Sequence, residues 1–147
     1  MYPTLLAIHN IIRWIVLGSL VFGIYSSAEG LITKRKYSSI DKIVRGLTSG
    51  ISHVQLLIGL LLYASVSPIT KLFLQYGAQG NDQLLFFGVW HAVAMILAVV
   101  LITIGAAVAK RASNDQKKFK VTLIWFSISL LVILSATPWF RPFFRAF

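Results

Sequence analysis

Gly88-Val89-Trp90-His91-Ala92-Val93-Ala94-Met95 is the stretch that decides the fold, because it places a histidine inside a long apolar run. The run extends without a charged residue from Leu84 to Ala109, which exceeds the roughly 20 residues needed to cross a hydrocarbon core. At 100° per residue, the helical face that carries the imidazole is mostly small or flat: Leu84, Phe87, Gly88, Met95, Ala98, Ile102, Gly105 and Ala109. Such a face can pack against another helix or against a planar cofactor.

Four apolar runs of this kind, at about 4–28, 43–66, 84–109 and 119–138, are separated by short polar loops. The chain is 57% hydrophobic and only 12% charged, whereas a soluble domain carries roughly 25% charged residues. Each run is long enough to span a bilayer as a helix. The sequence therefore predicts a single all-α domain over residues 1–147, an integral membrane four-helix bundle with up-down-up-down order.

The net charge of +10 is concentrated in two of the loops. Ten of the fourteen cations lie between the first and second runs or between the third and fourth: Lys34, Arg35, Lys36, Lys42, Arg45, Lys110, Arg111, Lys117, Lys118 and Lys120. The opposite end has Lys71, Arg141 and Arg145. The positive-inside rule then places both basic loops in the cytoplasm and both termini outside. We expect these loops to contact anionic membrane lipid rather than nucleic acid.

The chain has three histidines, His9, His53 and His91, and each lies in a different apolar run. Intramembrane histidines are costly and mark functional sites, so three of them on separate helices favour haem ligation. With no cysteine, the chain has no disulfide, iron–sulfur cluster or covalently attached c-type haem. A zinc or copper site would need a third or fourth ligand, and the only thioethers are Met1 and Met95.

Depth in the bilayer indicates which histidines can act together. At 1.5 Å per residue, His9 lies about 6 Å inward from Leu5 and His91 about 10 Å inward from Leu84. His53 lies about 18 Å from the outer end of the second run. His9 and His91 are therefore the favoured pair of metal ligands, and His53 with His91 is the alternative.

Arg13 lies in the first run about 12 Å inward from Leu5. A charged group at such a depth costs on the order of 2.5–3.5 kcal/mol or more unless it snorkels or finds a partner. The chain's four acidic residues lie in loops or at helix ends and offer Arg13 no carboxylate within the runs. One interpretation is that Arg13 snorkels to the outer headgroups. The other is that it binds an anionic group the chain does not encode, such as a haem propionate.

The second run carries two faces of small and polar residues. One face has Gly46, Ser49, Gly50 and His53, and its GxxxG spacing permits a close approach of backbones. The other has Thr48, Ser52, Gln55, Gly59 and Tyr63. A helix with two such faces usually packs on both, so one is expected to face the bundle and the other a second subunit of a homo-oligomer or of a respiratory complex.

Two segments outside the runs also have a recognisable pattern. In the connection from Ser67 to Asp82, apolar residues recur at helical spacing, which predicts a short helix in the membrane interface. The tail from Trp139 to Arg145 mixes aromatic and cationic residues, which is typical of an anchor at the outer interface.

Three short motifs together resemble a known family. These are His9-Asn10-x-x-Arg13-Trp14, Ser52-His53-Val54-Gln55-Leu56-Leu57-Ile58-Gly59 and Trp90-His91, with Pro138-Trp139 after the fourth run. They are similar to small four-helix membrane proteins of bacteria described as cytochrome b-like, over nearly the full chain. The resemblance implies a b-type haem held by histidines from different helices, participation in quinone-linked electron transfer, and a place in the bacterial cytoplasmic (inner) membrane.

The sequence thus predicts an electron-transfer protein rather than a stand-alone enzyme. His9 and His91 would be the axial ligands of haem b, Arg13 a propionate partner, and His53 a second-choice ligand or hydrogen-bond donor. No nucleophile–base pair, phosphate-binding loop or paired carboxylates are present, so no catalytic residue is assigned. One alternative is a haem-free accessory subunit of a larger membrane respiratory assembly. The other is a small transporter, which the lack of a membrane carboxylate disfavours.

Overall fold

The part of the chain described by a computed structural model, residues 1–139, consists of helices joined by short connections and contains no β-strand. Its α-helices are α1 (Tyr2–Thr33), α2 (Ser39–Leu61), α3 (Pro68–Tyr76), α4 (Asp82–Leu85), α5 (His91–Arg111) and α6 (Asp115–Ser135). Four continuous helical segments are long and apolar enough to cross a membrane: Tyr2–Thr33, Ser39–Val66, Asp82–Arg111 and Asp115–Ser135. The prediction of four such helices is confirmed.

Helices α2 and α6 begin before their apolar runs do, because polar residues cap them. Ser38 accepts a hydrogen bond from the backbone of Asp41, and the Asp41 carboxylate accepts one from the backbone of Ser38. This reciprocal capping box starts α2 ahead of its first apolar turn. Asn114 caps the start of α6, because its side-chain oxygen accepts a hydrogen bond from the backbone N–H of Lys117. The apolar runs near residues 43 and 119 thus begin about one turn after the helices do.

The fourth helix ends at Ser135 rather than at the predicted residue 138. Pro138 disfavours helical backbone in the residue that precedes it, so the helix stops short of the apolar run's end. Trp139, where the predicted aromatic anchor begins, donates its indole N–H to the carbonyl of Leu134 at 2.8 Å. The rest of that tail, with Arg141 and Arg145, lies outside the described residues.

Two π-helical turns interrupt the α-helical pattern at one end of the molecule, Leu62–Val66 after α2 and Phe86–Trp90 before α5. The two turns contact each other, since the Tyr63 hydroxyl donates to the Gly88 carbonyl at 2.8 Å. The short helix predicted in the connection is present as α3. It packs back on both turns, because the Thr70 hydroxyl donates to the Tyr63 carbonyl at 2.7 Å and the Phe73 ring fills the space beside Gly88.

The long helices form a four-membered bundle in which α1 and α5 each pack between α2 and α6. Glycines on α1 and α5 receive aromatic side chains of α6: Gly30 faces Phe119, Gly23 faces Phe126 and Gly105 faces Trp125. A side chain at any of these glycines would overlap or crowd the ring opposite. The buried core formed here comprises Val16, Leu17, Leu20, Ala98, Ile102, Phe126 and Ile133. This part of the bundle is tightly filled, and the space that remains lies towards the start of α1.

Candidate functional site

A cavity of about 400 Å³ lies inside the bundle between α1, α2 and α5. Most of its wall is apolar, and the larger polar side chains in it are His9 and Arg13 from α1, Gln55 from α2 and His91 from α5. Protein pockets for small ligands and cofactors have volumes of about 300–1,000 Å³ and combine an apolar wall with a few polar groups. Both the size and the lining of this cavity fit such a pocket.

His9 and His91 face each other across this cavity. Their ring centroids are 6.4 Å apart and their ring planes are inclined by 68°. One metal ion bound by a nitrogen of each ring, with bonds of about 2 Å, would hold the two ring centres roughly 6 Å apart. The separation of the two rings therefore fits a pair of imidazoles that share a single metal.

The ring of His91 is held in a defined tautomer and orientation. Its Nδ1 lies 2.8 Å from the carbonyl oxygen of Ala136. A carbonyl only accepts, so Nδ1 carries the proton and Nε2 keeps its lone pair. Histidines that bind metals almost always donate their other ring N–H in this way. The rings of Phe86 and Phe87 also pack on this imidazole, with centroids 5.9 and 5.8 Å from its own. The π turn before α5 thus surrounds His91 with aromatic side chains.

The acceptor for His91 exists because α6 ends where it does. Ala136 leaves helical geometry, with φ −112° and ψ 14°, and its carbonyl turns towards α5. The hydroxyl of Thr137 donates to the Ile133 carbonyl at 2.7 Å and satisfies one of the last carbonyls of the helix. The end of α6 thus supplies a backbone group to the site, although α6 contributes only an apolar side chain, Ile133, to the cavity wall.

His9 is positioned by α2. Gln55 donates its side-chain N–H to the backbone carbonyl of His9 at 2.9 Å, and Gly59 leaves room for the His9 ring. The Nδ1 atom of His9 and the side-chain oxygen of Gln55 are both buried and have no hydrogen-bond partner in the described residues. A buried polar atom without a partner costs free energy, so these two atoms suit a bound group or a water that would supply the missing hydrogen bond.

Arg13 lies one helical turn from His9 and borders the same cavity. Its guanidinium carbon is 5.4 Å from the centre of the Trp14 ring, and Trp14 is partly exposed on the outside of the bundle. The side chain therefore lies between the cavity and the outer surface of α1. This position is compatible with both roles considered for Arg13, a headgroup anchor and a partner for a bound anion.

The structure does not bring His53 to the cavity. Its side chain is exposed on the side of α2 next to α5. The Nδ1–H donates to the Ser49 carbonyl at 2.7 Å, and Nε2 lies 3.3 Å from the hydroxyl of Thr103. The arrangement thus separates the three histidines into a facing pair, His9 with His91, and an outer histidine that bonds within its own helix and to α5.

The metal-binding side chains in the cavity suit a haem better than a metal ion that is held by protein side chains alone. Among residues 1–139, no group of three or more His, Asp or Glu side chains is placed to hold a metal ion. Structural and catalytic zinc sites need three or four protein ligands, whereas two axial histidines are enough for a haem iron that its own macrocycle also binds. The imidazole pair, the unpartnered Nδ1 of His9 and the apolar wall fit that group.

Two features of the site were not predicted from the sequence. The Tyr63–Gly88 hydrogen bond depends on two π turns, and helical periodicity carries no signal for them. The Ala136 carbonyl is a backbone group, so its role as an acceptor cannot be predicted from the type of residue 136. Gln55 and Gly59 were recognised as part of a small, polar face of the second run. Their contacts with His9 show that this face is directed into the bundle.

Comparison of the chain with protein-family models, with curated proteins and with solved structures found no match. The arrangement of the cavity residues is therefore the basis on which a function is inferred.

Proposed function

We propose that this protein is an integral membrane cytochrome that holds a b-type haem between His9 and His91 and takes part in quinone-linked electron transfer. The observation that carries the proposal is the facing imidazole pair, with 6.4 Å between ring centroids across a largely apolar cavity. When bound, haem supplies a one-electron redox couple. The Nδ1–H of His91, held by the Ala136 carbonyl, leaves Nε2 as the atom that would bind the iron.

The other residues of the cavity would set the environment of the haem. Gln55 and Gly59 hold His9 in place, and the mostly apolar wall would surround a haem with a medium of low polarity. Ligation and burial of this kind would set the haem potential. Arg13 brings a positive charge to the edge of the same cavity. A guanidinium recognises carboxylates in a bidentate fashion, so Arg13 is assigned to a haem propionate. His53 is assigned no ligand role in this arrangement because its side chain lies outside the cavity.

The proposed setting is the bacterial inner membrane, with an up-down-up-down bundle and both termini on the periplasmic side. Contacts between the start of α1 and the end of α2, such as His9 with Gly59, support the alternating order of these two helices. Contacts between His91 at the start of α5 and Ala136 after α6 support it for the other pair. The ten cations in the two loops at the opposite end support the orientation.

One open surface is compatible with the alternative of a haem-free accessory subunit. Gly46 and Gly50 lie in an open groove on the outside of α2, where an added methyl group would meet no atom within 4 Å. Small residues that permit close backbone approach are enriched at helix–helix interfaces in membranes. The open face is therefore suited to a helix of another subunit, and such an interface is compatible with either function.

The visible absorption spectrum of protein purified in mild detergent tests the proposal. We expect a Soret band and the sharp reduced bands of a low-spin haem, which His9→Ala and His91→Ala should each abolish. His53→Ala is the matched control and should retain both bands. Gently purified wild-type protein without haem, even after reconstitution with added haem, would refute the haem site and favour the accessory subunit. Loss of the spectrum in His53→Ala but not in His9→Ala would move the ligand pair.

A further inference from the structure

The cavity opens to the outside of the bundle between α2 and α5. Four of its apolar lining residues are also exposed on the molecular surface, and all of them lie on α2, on α5 or in the π turn before α5: Leu60, Val89, Val93 and Ile96. A residue that lines a cavity and is also exposed marks an opening. These residues lie within two of the membrane-length segments, so in the proposed membrane setting the opening faces lipid rather than water.

From this opening towards the middle of the two segments, α2 and α5 meet at His53 and Thr103. His53 lies two helical turns before Leu60, and Thr103 lies two turns after Ile96, so each is on the same side of its helix as a residue of the opening. At 1.5 Å per residue, both lie about 10 Å from the opening. Nε2 of His53 and the Thr103 hydroxyl are 3.3 Å apart. We call His53, Leu60, Ile96, Val100 and Thr103 the α2–α5 seam.

The imidazole of His53 has one nitrogen that lacks a hydrogen-bond donor. Nδ1 lies 2.7 Å from the Ser49 carbonyl, which only accepts, so Nδ1 carries the proton and Nε2 is an acceptor. The Thr103 hydroxyl has a single hydrogen, which is directed to the Val99 carbonyl at 2.7 Å rather than to Nε2 at 3.3 Å. No other donor among residues 1–139 bonds to Nε2. This exposed acceptor therefore lies unsatisfied in an apolar setting, where an unpaired polar group is costly.

A ligand that satisfies Nε2 must donate a hydrogen bond and must also be soluble in the membrane. The surface near His53 is apolar, because Leu57, one turn away on α2, and Val100, one turn from Thr103 on α5, are both exposed. A quinol combines hydroxyl donors on a flat ring with an apolar tail, so it complements both the nitrogen and the surface. The oxidised quinone has carbonyl acceptors in place of the hydroxyls, and a lipid acyl chain has no donor.

We propose that the α2–α5 seam binds the ring of a lipid-soluble quinol, with one ring hydroxyl donating to Nε2 of His53. This hydrogen bond supplies the donor that Thr103 directs to Val99 instead, and it completes the hydrogen bonding of the imidazole. The opening at Leu60 and Ile96 connects the seam with the cavity, so the quinol ring lies beside the space in which haem is proposed. The inference deepens the proposed function and rests on its quinone-linked part: it names the reduced quinone as the partner and assigns it a site outside the cavity.

Binding is tested by titrating decylubiquinol into the full-length protein in a fixed amount of mild detergent, under anaerobic reducing conditions, and measuring the unfolding temperature. We expect saturable stabilisation, because a ligand that binds the folded state raises its stability. The dimethyl ether of the same quinol keeps the ring and tail without a donor, and decanol keeps a hydroxyl and tail without the ring. Both controls should stabilise the protein much less. Equal stabilisation by the ether would refute donation to His53, and equal stabilisation by decanol would assign the seam to any lipid alcohol and refute the quinol.

Substitutions in and beside the seam locate the site. His53→Phe keeps a flat ring without an acceptor and should weaken quinol binding roughly two- to tenfold, the contribution of one neutral hydrogen bond. Thr103→Val is the matched control, because it removes the neighbouring hydroxyl and leaves Nε2 in place, so its affinity should equal that of the wild type. Val100→Trp, at a residue 46% exposed, should obstruct the seam and lower the affinity, whereas Leu131→Trp, at a residue 67% exposed on α6, should not.

The same measurements include the results that would overturn the site. An unchanged affinity in His53→Phe, an equal loss in Thr103→Val, or equal effects of the two tryptophan variants would refute the seam. The visible spectrum is recorded on the same samples, and His53→Phe should retain the haem bands. Protein that binds quinol but no haem would refute the haem site alone, and protein that holds haem but gains no stability from quinol would refute the seam alone.

Discussion

The α-carbon of Gly59 in α2 faces the imidazole of His9 in α1. A methyl group at residue 59 would lie 3.2 Å from Cε1 and 3.8 Å from Nδ1 of that ring. Gly59 therefore sets how closely α2 approaches the histidine. Gln55, on the same face of α2, fixes the position of α2 along the axis of α1 by donating a hydrogen bond to the His9 carbonyl. The absence of a side chain at one residue is part of the site.

Enlarging Gly59 should change the ligation of haem without removing a ligand. A contact of 3.2 Å requires the ring to move by a few tenths of an ångström, so Gly59→Ala should weaken the His9 ligand and convert part of the low-spin spectrum to high spin. Gly59→Val should do so to a greater extent. Gly18→Ala is the matched control, since its methyl group would meet no atom within 4 Å. Identical reduced spectra for all four proteins would show that Gly59 does not position the ligand.

Substitutions of Arg13 distinguish its role as a headgroup anchor from its role as a partner of a bound cofactor. If Arg13 holds a propionate, Arg13→Gln should reduce haem retention and lower the midpoint potential by roughly tens of millivolts, because a nearby positive charge favours the reduced, more electron-rich state. Arg13→Lys should lie between Gln and wild type, since lysine keeps the charge but not the planar fork. Redox titration of the three proteins in one detergent is the measurement. Equal potentials and equal haem content would make Arg13 an anchor to the headgroups.

The orientation in the membrane is tested by cysteine labelling, and the absence of native cysteine makes the chain suitable for it. Ser113 lies in the turn between α5 and α6, and Gln79 lies between α3 and α4, where its φ is positive at 45°. In intact cells, Gln79→Cys should react with an impermeant thiol reagent and Ser113→Cys should react only after lysis. The reverse pattern would invert the orientation and place both basic loops on the outer side of the membrane.

The Asp41 carboxylate should contribute more to stability than any exposed acidic residue. Its side chain is 3% exposed and accepts hydrogen bonds from Arg35, Ser26 and Ser38. Asp41→Asn removes the charge that these donors share, so it should lower the unfolding temperature clearly in detergent. Asp115→Asn is the control, because the 3.7 Å contact of Asp115 with Lys118 is partly exposed and worth about 1 kcal/mol at most. Similar unfolding temperatures for both variants would contradict a structural role for the Asp41 network.

The sequence by itself determined the four long helices and the small face of α5 that carries His91. Long uncharged runs favour helices, because a helix satisfies its own backbone hydrogen bonds, and the polar residues between the runs mark the helix ends. Helical spacing also put His9 and Arg13, four residues apart, on one face of α1. The depth estimate that paired His9 with His91 agrees with their contact across the cavity, because length along a helix follows directly from residue number.

Other features were decided only by the tertiary structure. Periodicity gives a direction around one helix axis but not the identity of the helix that lies there, so the two polar faces of α2 could not be told apart until Gln55 and Gly59 met His9. The exclusion of His53 from the cavity has the same cause. The Ala136 carbonyl and the π turns are properties of the backbone. These features lie at the ends of helices, and the packing of neighbouring helices rather than residue type determines where they form.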